Sequence, residues 1–247
     1  MNAVWNRALA LSLLAAGAVG GMTGAAWATP SPPTPIAIVN PSFEADTTPN
    51  GSSGSQDYWY YGSFTGWTFN GIGGGGWYHP STLEYPGGGN SSTAATGIPD
   101  GSQVAFLQSG AGLKQILTTN LVSNAAYTLT FYVGQRADVA LPANYSVELL
   151  AGSSVLASAA DPVNPAAGTF GLGSLTFTSQ FFDPHAGLPL AIVLSMGGGS
   201  GFVNFDNLGL SVVTDANIFV PEPSGVALLA VGLIAVFFSS RRGSGRI

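Results

Sequence analysis

The residues able to do acid-base or metal chemistry are few and scattered. The two histidines are His79, beside Pro80, and His185, after Asp183-Pro184. Neither belongs to a His-x-x-x-His or Glu-x-x-His metal spacing. No serine lies in a Gly-x-Ser-x-Gly elbow, the glycines form no phosphate loop, and the chain has no cysteine, so thiol chemistry is excluded. Glycoside hydrolysis needs two facing carboxylates, for which Glu84 and Glu148 are candidates, but nothing in the sequence pairs an acid with its base. The expectation is therefore a protein that is not an enzyme. Binding chemistry is better represented, in the aromatic stretch DYWYYGSFTGWTFNGIGGGGWYHPSTLEY from Asp57 to Tyr85. Rings of this kind stack on the apolar faces of sugars, and Trp59, Tyr61, Trp77 and Tyr78 are the candidate wall, with Trp67 and Phe69 assigned to the core.

Short β-branched and aromatic runs must position these residues. Candidate strands centre on Ile36, Trp67, Val104, Ile116, Leu129, Val147, Leu156, Phe177, Ile192 and Phe205. Tyr127, Leu129, Phe131 and Val133 alternate with Thr128, Thr130 and Tyr132, the period of a strand with one buried face. About ten such runs, separated by Gly, Asn and Asp turns and without helical periodicity, predict an all-β fold, a single jelly-roll β-sandwich over residues 36–215.

The stretches NPSFE (Asn40 to Glu44), Gly66-Trp67, GSQVAFL (Gly101 to Leu107), YTLTFYVG (Tyr127 to Gly134) and FDNLGL (Phe205 to Leu210) resemble the galactose-binding-like jelly rolls of carbohydrate-binding modules. That resemblance implies neighbouring first and last strands with a structural calcium between them. Glu44 and Asp206 would then supply its carboxylates, Asn40 or Asp46 assisting.

The ends of the chain are of a different kind. Arg7, the apolar run from Ala8 to Val19 and the Ala26-Trp27-Ala28 step predict a signal peptide over 1–28, followed by a Pro-rich linker over 29–35. Between the two ends the only basic residues are Lys114 and Arg136, against every Asp and Glu of the chain except Glu222. An acidic body of this kind disfavours nucleic acid as a partner. Over residues 216–247, Pro221-Glu222-Pro223, a short apolar membrane helix from Gly225 to Phe238 and then Arg241 and Arg242 resemble the PEP-CTERM sorting signal. The resemblance implies a Gram-negative host, transient anchoring in the inner membrane and processing by an exosortase, then a place at the cell surface or in the matrix. Together these readings predict a non-catalytic surface or matrix protein associated with extracellular polysaccharide. The alternatives are a carbohydrate-binding module with an aromatic sugar site and structural calcium, and a glycan-modifying enzyme.

Overall fold

A computed structural model describes residues 31–46, 59–86, 97–141 and 144–214. The signal peptide, the sorting motif (Pro221, Glu222, Pro223, Arg241, Arg242) and both terminal helices lie outside the described residues.

Among the described residues the chain forms twelve strands and no helix: β1 (Thr34–Ile36), β2 (Trp59–Tyr61), β3 (Thr68–Gly71), β4 (Gly75–Tyr78), β5 (Val104–Leu107), β6 (Ala111–Asn120), β7 (Ala126–Gln135), β8 (Tyr145–Ala151), β9 (Ser154–Ala160), β10 (Thr169–Thr178), β11 (Pro189–Met196) and β12 (Val203–Val213). The larger sheet runs β10-β7-β12-β5-β4-β2, with β1 also on β12. The smaller runs β3-β6-β11-β8-β9. Every pairing is antiparallel. The all-β expectation holds in this form.

Strict alternation builds the core. Tyr127, Leu129, Phe131 and Val133 of β7 turn inward with Phe205 and Leu210 of β12 and meet Leu113, Val147, Ile192 and Leu194 from the smaller sheet. Trp67 and Phe43 close one side of this core, their rings 5.5 Å apart, and Phe69 packs against it. β12 is kinked: its register against β7 slips between Asp206 and Gly209, where Asn207 takes a φ of 46°, the mark of a bulge. The same strand changes its other neighbour there, from β5 along Val203–Phe205 to β1 along Leu210–Val212.

Two features depart from expectation. The first strand ends at Ile36, and the NPSFE segment is a tight loop with positive φ at Asn40 (52°) and Phe43 (65°). The second is that β2 and β4, on either side of the strand expected near Trp67, are strands that were not expected. β4 can pair closely because of Gly76: a Cβ there would stand 1.8 Å from the Tyr60 carbonyl oxygen.

Candidate active site

β2, β4, β5 and β12 lie side by side, so residues of one parity share the outer face of the larger sheet. That parity puts Trp59, Tyr61, Tyr78, Val104, Phe106 and Asn204 outward and Tyr60, Trp77, Ala105 and Phe205 toward the core. Trp59 stacks on Tyr78 with centroids 3.8 Å apart and planes 6° from parallel. Phe106 meets Trp59, Tyr61 and Tyr78 edge-on at 4.7, 5.1 and 5.8 Å. Ile98, Phe170 and Phe202 complete the cluster, in which Tyr78 is fully buried and Tyr61 is 56% exposed. Of the four rings expected in one wall, Trp77 alone faces the other way. It is buried in the core against Tyr60, because its neighbour Tyr78 takes the outer side.

Beneath the rings lies a polar floor that the sequence reading missed. Asn204 Oδ1 accepts hydrogen bonds from the hydroxyls of Tyr78 (3.3 Å) and Tyr85 (2.7 Å), while its Nδ2 donates to the Ala105 carbonyl (3.2 Å). All its polar atoms are thus engaged, and the two phenols are aimed at one point. Burial, joined by the charge of Glu84, holds both tyrosines well above the ordinary phenol range, so both stay neutral donors. Tyr85 also stacks on Phe170 at 4.6 Å.

A charged edge borders the cluster. Arg136, directly after β7, pairs with Glu84 (2.6 Å) and forks onto Asp138 (2.9 and 2.6 Å). Its guanidinium lies 5.5 Å from the Trp59 ring and 5.0 Å from that of Phe202, in cation-π range. Glu84 is fixed from behind by the Ser81 N–H (2.7 Å) and hydroxyl (3.2 Å), a local Ser-x-x-Glu turn. The hydrogen bond from Arg136 holds the Asp138 carboxyl below its usual range. Glu84 therefore sits beside the rings, whereas Glu148 stands on β8 of the smaller sheet with Ser158 at 3.4 Å. The two do not form a facing pair.

The candidate calcium ligands meet a second corner, at the β12 bulge. Glu44 accepts the N–H groups of Ser102 (2.7 Å) and Gln103 (2.5 Å), and Asp206 those of Asp100 (2.9 Å) and Asn207 (2.7 Å). Both carboxylates are thus gathered by the loop before β5. Gly101 permits this at φ 66°, since a Cβ there would fall 2.4 Å from the Glu44 carboxyl. Burial, with the charges of Asp100 and Glu44, pushes Asp206 up to about 8 against the opposing pull of its two N–H donors. Asp46 turns away to Thr65, and Asn40 Oδ1 takes the Ala45 N–H. Among the described residues no group of three or more His, Cys, Asp or Glu side chains is arranged to hold a metal ion. The histidines belong to neither corner: His185 pairs with Asp183 at 3.2 Å, and His79 lies edge-on to Trp77.

Comparison with known proteins bears directly on these corners. A family model described as HpiC1 cyclase matches residues 34–211, and one described as the PEP-CTERM protein-sorting motif matches 219–242. No curated protein matches. Among solved structures, the Stig cyclase Fisc from Fischerella sp. TAU, in complex with (3Z)-3-(1-methyl-2-pyrrolidinylidene)-3H-indole, is 26% identical with a TM-score of 0.59, covering 74% of this chain and 99% of that one. The apo form of a cyclase from Fischerella sp. is 25% identical at 0.59, covering 74% and 97%. A Fischerella sp. TAU cyclase in complex with 4-(1H-indol-3-yl)butan-2-one is 26% identical at 0.57, covering 73% and 98%. These matches overturn the expectation of a non-catalytic matrix protein and of no enzyme, and the polysaccharide association loses its ground with it. The physical reason is that no acid and base are paired in sequence, whereas Trp59, Glu84, Arg136 and Asn204 meet only in the folded chain, through strand pairing and the turn that carries Glu84. A legible signal existed in Asn204, a polar residue inside the apolar run of β12. The sorting motif implies export and membrane-anchored processing by an exosortase-type enzyme in a bacterium.

Proposed function

The chain belongs to the HpiC1-like family, and from that premise we propose that it is an exported cyclase that closes a ring within an aromatic, largely apolar substrate at the outer face of the larger sheet. The observation that carries this reading is the stacked Trp59–Tyr78 pair, pinned from beneath by Asn204, which takes the hydroxyls of Tyr78 and Tyr85, and bordered by the Arg136–Glu84 ion pair. Ring closure within one molecule needs a wall that tolerates positive charge and fixed groups that direct a proton. Aromatic faces supply the first. Tyr78 and Tyr85, their single O–H protons held by buried Asn204, brace that wall from behind as neutral groups, and Arg136 with Glu84 supplies the charged, hydrogen-bonding groups at its edge. The indole-bearing ligands of the Fischerella cyclases support a flat heteroaromatic substrate for such a wall.

The test uses 4-(1H-indol-3-yl)butan-2-one as the binding probe and indoles with unsaturated side chains as candidate substrates. Saturable binding lost in Trp59→Ala, with an isomer of unchanged mass formed by the native chain only, is the expected result. Tight binding that survives Trp59→Ala and Tyr78→Phe would move the site elsewhere.

Calcium at the Glu44–Asp206 corner is part of the same proposal. A buried carboxylate whose neighbours are acidic is one that a hard cation would hold ionised.

A further inference from the structure

We infer that the end of the sandwich carrying Phe181 and Phe182 is a membrane-contact surface of the anchored protein, with a lipid bilayer as its occupant. Phe181 is 67% exposed and Phe182 is 85% exposed, their rings edge-to-face at 4.6 Å, and Val122 and Leu188 are exposed beside them. Contiguous apolar groups left in water on a folded surface mark a contact with something apolar.

The loop that presents them is not loosely held. Buried Ser179 donates to the Val122 carbonyl (2.8 Å) and accepts the Ala125 N–H (2.9 Å), while Asn124 donates to Gln180 (3.0 Å). Gly187 donates to Leu121 (2.8 Å), and Leu121 donates to Leu188 (2.9 Å). The two phenylalanines are therefore displayed on a pinned scaffold. The charged side chain in this loop, Asp183, is turned onto the His185 and Gln180 backbone N–H groups, and neither the loop nor the 121–125 turn carries Lys or Arg. An uncharged lipid interface suits such a tip better than an anionic one.

Topology supplies the occupant. β12 ends at Val213 opposite Ala126, and Ala126 is also opposite Thr178, directly before the Phe181–Phe182 loop. β1 begins at this end as well, Thr34 opposite Val212. The chain thus leaves toward the sorting motif at 219–242 from the tip that bears the exposed rings. Eleven residues separate Val213 from the apolar run at Gly225, a tether of at most roughly 40 Å that keeps this tip nearest the bilayer at high effective concentration. The aromatic cluster sits toward the other end of β7, near Gly134 and about 27 Å along the strand from this tip.

The cysteine-free chain makes the test clean. Full-length protein carrying Phe182→Cys, labelled with a nitroxide, is reconstituted in phosphatidylcholine–phosphatidylethanolamine vesicles and compared with the same label at Ile72→Cys, at the other end. A label at 182 reached by oxygen and shielded from a water-soluble relaxant several-fold more than the label at 72, and only with vesicles present, is expected. Val122→Cys serves as a second reporter should the first variant misfold. Equal exposure at the two ends would overturn the inference, and so would shielding without vesicles, which would make the tip a contact between copies.

Discussion

Asn204 occupies a position in β12 where an apolar residue would serve packing alone, and its amide instead holds two phenols and a carbonyl. Asn204→Leu leaves both hydroxyls buried without their acceptor, a cost of about 1–3 kcal/mol each at most. The expected outcome is a lowered Tm in thermal unfolding and a larger loss in kcat than in KM for ring closure. Tyr85→Phe removes one of these bonds and should cost roughly 1 kcal/mol. Asp206 gives a prediction of opposite character. Its folded pKa, about 8, stands above the ordinary aspartate value of roughly 3.9, so between those limits the unfolded chain releases a proton that the folded chain keeps. Stability of the metal-free protein then falls as pH rises from about 4 to 8 and is flat in this respect outside that window. Tm measured at pH 5 and 8 with chelator should show the fall, Asp206→Asn should flatten it, and calcium should raise Tm at pH 8 in the native chain only. A calcium response unchanged in Asp206→Asn would remove the ion from this corner.

At the scale of elements, β2 and β4 send Tyr60 and Trp77 to the core and Trp59, Tyr61 and Tyr78 to the candidate site. A side chain at position 76 would drive into the Tyr60 carbonyl, so Gly76→Val should part these two strands and dislodge Trp59 from Tyr78. The expected signature is a loss of near-ultraviolet ellipticity and of probe binding, with the far-ultraviolet sheet spectrum kept. Phe131→Ala acts on the other layer. Its fully buried ring lies between the sheets, and its truncation should cost about 3–5 kcal/mol, read as a lower urea midpoint with the Trp59 environment intact below the transition. The strands that alternate plainly, such as β7, were legible in sequence, because burial on one face alone writes itself with period two. β2 and β4 were not: they are three and four residues long, too short to show a period, and the glycines of β4 serve backbone approach, which leaves no hydrophobic pattern.

For the whole molecule, the bulge in β12 and the common exit of the chain set the layout, with the aromatic cluster at one end and the tether toward the sorting motif at the other. In a host with an exosortase, the native chain should be recovered with its C-terminal segment removed, and a chain with Glu222→Ala should keep that segment and stay with the membrane, as intact mass on the two fractions will read. The address was determined by sequence alone, because a sorting signal is a linear order of a Pro-Glu-Pro step, an apolar run and arginines that needs no partner elsewhere in the chain. So was the all-β class, for the same local reason. The proposed catalytic character rests on the family matched over residues 34–211, and the layout of the candidate site on tertiary structure alone. Residues 59, 84, 136 and 204 acquire meaning as a set only when antiparallel pairing brings β2 and β12 to one face and the turn at Glu84 and the end of β7 to its edge, and parity, which no motif encodes, turns Tyr78 outward and Trp77 to the core.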